Sequence, residues 1–570
     1  MMRWTIKEEP NKEHSDSLQE SLQVSPIVAK LLVQRGITTF DQAKSFFRPN
    51  LSELHDPFLM KDMDLAVKRI EKAIANNERI LFYGDYDVDG TTAVSLMYTY
   101  LVSRTKKVAT YIPDRYNEGY GVSFEGIDYA DDNEFTLIIA LDCGVKAIDK
   151  VAYAKEKAID FIICDHHRPS KKLPDAIAVL DPKREDCYYP YNELCGCGVG
   201  FKLIQALELN LGNSVEGLIA YLDLVVTAIA ADIVPMTGEN RVLAYYGLKV
   251  INESPRIGIK ALLHQVKKEV FTITDVVFII APRINAAGRM KHGNHAVTLL
   301  TETDFNLAAT YATDINQFNL DRRELDQKIT QEALSQIDKN EEKVRFTTVV
   351  YDESWHKGVI GIVASRLTET YYRPTLVFTK SGEKLAASAR SVRGFDVYNA
   401  LEACSEFIEQ FGGHKYAAGL TLKEENYIPF KEAFERVVKA TITVDQLIPE
   451  IKIDANIALE QVNHKLFRIL DQFAPFGPGN MKPVFVSENL LDTGYAKCVG
   501  EDQKHLRFTA IQNRSDKFTA IGFNLGHQLT LVQNQKLFKA AYSLDENHWN
   551  GKVSLQLKLK DLKPQSIEQE

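Results

Sequence analysis

Residues 79–101 read RILFYGDYDVDGTTAVSLMYTYL. Positions 80–83 predict a short buried strand and 91–101 a helix, with Asp85, Asp87 and Asp89 between them and Gly84 and Gly90 closing the turn. A strand-to-helix turn stands at the carboxyl edge of an α/β sheet, where such folds bind ligands. Like charges at alternate positions repel unless neutralised, and hard divalent cations take oxygen ligands. The competing reading is a solvated acidic turn.

The pattern recurs. LIIAL at 137–141 predicts a second strand, ending in Asp142-Cys143-Gly144. FIIC at 161–164 predicts a third, ending in Asp165-His166-His167, with a polar helix at 146–157 between them. YLDLVVTAIAA at 221–231 predicts an apolar helix, and Asp232 follows it. Alternating strands and helices imply a parallel sheet with these ends on one side. Carboxylates with one or two histidines suit manganese or magnesium, and such a cluster can hold two metals. No Ser/His/Asp or Cys/His pair stands in these motifs, which favours direct attack by water.

GDYDVDG, LDCG, DHH and ADIVP, in that order, resemble the signature motifs of the DHH phosphoesterase superfamily. The resemblance is closer to its RecJ-type single-strand-specific exonuclease branch. It extends through IPDRYNEGYG (112–121), PRINAAGRM (282–290), WHKGVIGIVASRL (355–367), SARS (388–391) and GGHKYAAG (412–419), and covers roughly residues 50–565. It implies that Asp87 contacts one metal, that Asp89, His166 and Asp232 hold the other, and that Asp142 bridges them. Asp85 and His167 then act as catalytic residues that orient the ligands or bind weakly. It further implies nucleic-acid contacts from Arg115, Arg283, Arg289, His356, Ser388, Arg390, Gly413 and His414. The three earliest arginines are expected in loops near the site, where bidentate guanidinium groups suit a 5′ phosphate. Tyr116 and Tyr120 offer faces for base stacking, against plain packing as the alternative.

The fold class is therefore α/β. The resemblance divides the chain into an N-terminal extension with a helical segment (1–50), a parallel-sheet DHH catalytic domain (51–313), a connecting helix (314–340), a DHHA1-like substrate-binding domain (341–445) and an OB-fold-like barrel (446–570). The helix carries Ile315, Phe318, Leu325, Ile329 and Ala333 on one stripe. In the second block TTVVY, PTLVF and KLAASAR predict strands. GVIGIVASRL and FDVYNALEACSEFIEQF predict helices, the latter closed by Gly412-Gly413-His414. In the last block Leu506, Phe508 and Ala510, then Val553, Leu555, Leu557 and Leu559, alternate with polar residues, as half-buried antiparallel strands do. A small barrel of this kind binds single strands.

Composition agrees. The 570 residues allow about three domains and are 45% hydrophobic. No apolar run approaches a membrane span, and the polar first 25 residues hold no signal-peptide core. Seven scattered cysteines argue for a reducing compartment, and Cys195-Gly196-Cys197 has no second pair to complete a zinc site. The net charge of -9 leaves room for a local basic groove. The expectation is a cytoplasmic, monomeric 5′-to-3′ exonuclease on single-stranded DNA, using two Mn2+ or Mg2+ ions, releasing 5′-mononucleotides in repair and recombination. A single-strand-binding protein and a helicase are the partners it would work with. The alternatives are a DHH phosphoesterase for short oligoribonucleotides or cyclic dinucleotides, and a non-catalytic single-strand-binding scaffold.

Overall fold

A computed structural model describes residues 2–339, 342–513, 515–533, 535–549 and 551–565. The chain forms two compact units, 55–234 with 246–449, and 1–54 with 235–245 and 450–570.

The first unit is built on a five-stranded parallel sheet in the order Val108–Tyr111, Ile80–Gly84, Leu137–Leu141, Asp160–Cys164, Ala178–Leu180. The Ile80–Gly84 and Leu137–Leu141 strands are buried throughout, which is why they read as unbroken apolar runs. Strand order reverses at the Ile80–Gly84 strand, so the crevice beyond the carboxyl ends of that strand and its Leu137–Leu141 neighbour is the switch point. Asp85 and Asp142 follow those two strands directly. The helix after the first strand runs Val88–Leu101, so Asp89 lies in its first turn and Asp87 caps it, Oδ1 accepting from the Gly90 amide at 3.1 Å.

The long helix runs Phe305–Lys339. It begins before the expected position 314 because Asp304 caps it, accepting from the Leu307 amide. Its buried face is partly polar. Asn319 accepts from Arg322 and Asp326 from Arg366, while Ile329, Ala333 and Ile337 join the core of the following sheet. That sheet has the order Gln410–His414, Ala417–Lys423, Lys384–Arg390, Thr375–Ser381, Thr348–Tyr351. The expected helix at 395–411 is a correction. Only Val397–Glu402 is α-helical, and Gly412-Gly413-His414 form an edge strand paired with 417–419. The apolar residues Cys404 and Phe407 serve the core through a short turn, and strand pairing claims the glycines.

In the second unit five strands close on themselves. Phe485–Asp492, Phe538–Trp549, Lys552–Pro564, Phe518–Gly522 and His505–Ile511 are paired in turn, and Leu491 meets Ile511. Leu506, Phe508 and Ala510 point inward as predicted, but Val553 is exposed near the strand start. The N-terminal segment is not a free extension. Arg3–Ile6 pairs in parallel with Glu450–Ile453, and Leu18, Val28, Leu31 and Leu32 share a core with Phe467 and Leu470. Residues 235–245 also belong here, so the block 51–313 is not contiguous in space. The Arg241 guanidinium donates to the carbonyls of Phe46, Phe473, Ala474 and Pro475 and stacks on the Phe46 ring.

Candidate metal centre and strand cleft

Three groupings of ligand atoms, each mutually within 4.8 Å, converge at the switch point: Asp85, Asp87 and Asp142; Asp142, His166 and His167; and Asp89, His166 and Asp232. His166 Nε2 lies 3.3 Å from Asp142, 3.6 Å from Asp232 and 3.8 Å from Asp89. Asp142 and His166 are each common to two groupings, the arrangement expected of ligands around two neighbouring cations. Every residue that the motifs nominated for metal is in this cluster.

The backbone is shaped for the approach. Asp142 takes a left-handed φ of 60°, which Asp tolerates better than most side chains. A Cβ on Gly196 would stand 2.6 Å from Asp142 Oδ1, and one on Gly90 would stand 2.5 Å from the Asp85 carbonyl oxygen. Both positions need glycine for space alone. Asp89 is held from the opposite side by the Gly196 and Cys197 amides, at 2.7 and 2.6 Å. These amides open the helix Gly196–Asn210, whose dipole favours a carboxylate there. The Cys195-Gly196-Cys197 segment is thus no zinc site. Cys195 caps the helix and Gly196 makes room for Asp142.

The electrostatics call for cations. Burial, and then the neighbouring carboxylates, push Asp85, Asp89 and Asp142 well above the usual carboxylate range. Burial and Asp87 push Asp232 up to about 7. Burial, His167 and Lys183 take His166 down to about 3, leaving a neutral imidazole. Both Asp85 oxygens and Asp142 Oδ1 are buried with no hydrogen-bond partner. Buried orphaned carboxylate oxygens are costly, and hard divalent cations are their natural complement.

Asp165, the first residue of DHH, has a role its motif position did not reveal. It is buried and accepts from the amides of Val145, His166 and His167 and from His167 Nδ1 at 2.7 Å. Burial opposes ionisation, yet these hydrogen bonds hold it down to about 2. Burial likewise opposes charge on His167, but the Asp165 bond and the charges of Asp165, Asp232 and Asp87 raise it to about 9. The His167 Nε2 meets the Tyr120 hydroxyl at 3.1 Å.

The sheet of strands Gln410–His414 to Thr348–Tyr351 approaches this cluster within the same unit. The His414 ring stacks over His167 with centroids 6.3 Å apart. Arg390 donates to Ser388 and Ser365, and a Cβ on Gly361 would meet Ser388 and Arg390 at 3.0 and 3.1 Å. Arg289 donates to the Gly358 carbonyl, and burial with the charges of Arg115, Arg390 and Arg322 pushes it down to about 9. Burial and Arg115 lower Arg390, His356 and Lys357 as well. Such a cationic pocket is poised for an anion. Arg283 is not part of it. Its guanidinium donates to Asn316 and to the Ile279 carbonyl, and the charge it feels is that of Arg323. Arg283 and Arg289 both lie on the helix Ala281–Met290 rather than in loops. No helix among the described residues is long and apolar enough to cross a membrane.

Comparison with known proteins follows the same layout. Residues 79–229 match the family model described as DHH family, N-terminal domain, 341–440 the DHHA1 domain, and 453–561 the RecJ OB domain. The chain is 36% identical over 564 residues to the single-stranded-DNA-specific exonuclease RecJ of Bacillus subtilis, covering 98% of this chain and 70% of that one. Against the Haemophilus influenzae protein of the same name it is 31% identical, covering 90% and 92%. The crystal structure of RecJ in complex with Mn2+ from Thermus thermophilus superposes with a TM-score of 0.85 at 27% identity, covering 99% of this chain and 80% of that one.

Proposed function

The chain belongs to the RecJ family of single-stranded-DNA-specific exonucleases, and from that premise we propose a metal-dependent 5′-to-3′ exonuclease that releases 5′-mononucleotides. The observation that carries this reading is the pairing of an orphaned carboxylate–histidine cluster with a facing arginine pocket in one unit. Two divalent ions, Mn2+ or Mg2+, would supply an activated water and charge neutralisation for the phosphodiester. Asp142 would be the shared ligand, Asp85 and Asp87 would complete one position, and Asp89, His166 and Asp232 the other. Asp165 fixes the His167 ring through Nδ1, leaving its Nε2 to Tyr120 beside the scissile group. Arg115, Arg289, Ser388 and Arg390 bind the terminal phosphate, and His356 and His414 border the strand. The barrel would bind single strands in its own right. The protein acts as a cytoplasmic monomer in repair and recombination, with a single-strand-binding protein and a helicase as partners. A degenerate scaffold would have no use for this complete Asp/His set. The test is cleavage of a 5′-labelled single strand with Mn2+. Labelled mononucleotide as the first product supports the reading, and cleavage from the 3′ end or of short oligoribonucleotides alone overturns it.

A further inference from the structure

Lys183 and Lys146 both follow strands of the catalytic sheet. Leu180 pairs in parallel with Cys164, and the Asp165 amide donates to the Leu180 carbonyl at 3.0 Å. Residues 181–183 therefore run beside Asp165, His166 and His167 at the carboxyl edge. The turn is fixed by Asp181, whose Oδ1 accepts the Lys183 amide at 2.8 Å. Lys183 is half-buried, and among the described residues its ammonium has no hydrogen-bond or ion-pair partner. Lys146, just past the Leu137–Leu141 strand, is exposed and equally unpaired. A surface lysine usually reaches water or a carboxylate. Here a half-buried ammonium is held beside acids that it does not touch.

The placement has an order along the cleft. Arg115 lies over the Tyr86 ring at 4.6 Å, Tyr86 meets Tyr120 at 6.1 Å, Tyr120 meets His167 at 6.1 Å, and His167 meets His414 at 6.3 Å. Arg115 of the arginine pocket is thus at one end of this run of rings and His414 at the other. The two lysines belong to the His414 end, because residues 181–183 run beside His167 and the amide of Val145, just before Lys146, donates to Asp165 at 2.9 Å. Burial, His167, Lys146 and Lys183 together lower His414, and Lys183 acts on His166 and Asp232 too.

With the terminal phosphate among the arginines, the opposite end receives the strand on the 3′ side of the scissile bond. We propose that Lys183, with Lys146 beside it, grips the first phosphate on that 3′ side. The site then reads three consecutive phosphates: the terminal one, the scissile one and the one at Lys183. A compact ammonium suits such a backbone contact because it asks only for charge. The assignment rests on the nuclease reading above.

The test uses the full-length, Mn2+-loaded protein and two competitors of a labelled 5′-phosphorylated strand, pdTdT and pdTdTdT. Only the longer one has a phosphate beyond the scissile position. Wild type should bind pdTdTdT several-fold more tightly than pdTdT. Lys183→Gln should erase most of that gain, Lys183→Arg should restore it, and the salt slope of strand binding should fall by about one in Lys183→Gln. Equal weakening of both competitors, no change in either, or an unchanged salt slope would overturn the proposal. Failure of wild type to release mononucleotide from the labelled strand would instead sink the nuclease reading.

Discussion

At the residue scale, Asp142 carries the most. It faces His166 at 3.3 Å, belongs to two of the three ligand groupings and has an orphaned oxygen. Asp142→Asn should lower kcat by about a thousandfold or more, since both metal positions lose a ligand. Circular dichroism should show the fold retained. Near-normal turnover at saturating Mn2+ would refute the shared-ligand role. Asp165 makes a separate prediction. Asp165→Asn removes the anion that raises His167 to about 9, so its imidazole should titrate below neutrality. A ring titration by NMR that still shows His167 charged at pH 8 would contradict this. Much of the centre was legible because each ligand follows a short apolar run or helix, a purely local signal. Asp165 was not singled out, since its role depends on where the His167 ring turns. Nor was the diversion of Arg283 to Asn316, because helix packing decides it.

At the element scale, the helix Gly196–Asn210 holds two parts of the centre together. Its first amides bind Asp89, and its first residue clears space for Asp142. Gly196→Ala should lower Mn2+ affinity about 10–100-fold, as changes that displace ligands typically do. Isothermal titration with Mn2+ would check this, and unchanged affinity would show that the helix end yields. The parallel strands were readable from their apolar runs. The strand at 410–414 was not, because its glycines and its pairing with 417–419 reflect a partner rather than a period. The same limit hid Arg3–Ile6, whose partner Glu450–Ile453 lies at the far end of the chain.

At the scale of the whole molecule, the acid cluster links metal to stability. Asp232 is raised from the carboxylate range to about 7, and Asp85, Asp89 and Asp142 move the same way. A raised acid contributes stability fully below its unfolded value, about 4, and loses it as pH rises through the folded value. The metal-free protein should therefore weaken between about pH 4 and pH 7 or above, and Mn2+ should restore it. The Mn2+-induced shift in Tm should grow from pH 5.5 to pH 8, as seen by calorimetry. A shift independent of pH would mean that the carboxylates are not coupled to the metal. The barrel unit carries its own caution. Residues 1–54 share its core and Arg241 is tied to Phe473, Ala474 and Pro475, so a chain cut at Thr441 opens that core and leaves Arg241 with Phe46 but not these three carbonyls. Point changes on the barrel surface are the cleaner way to test its grip on long strands.

The cleft admits one strand. His167 and His414 bring the two sheets of the unit within 6.3 Å between ring centroids, and a double helix is several times wider than that approach. The decisive measurement compares initial rates on a 5′-labelled single strand and on the same strand in a blunt duplex, with Mn2+. Labelled 5′-mononucleotide should leave the single strand at a rate at least about a hundredfold above the duplex. Equal rates on the two substrates would contradict it.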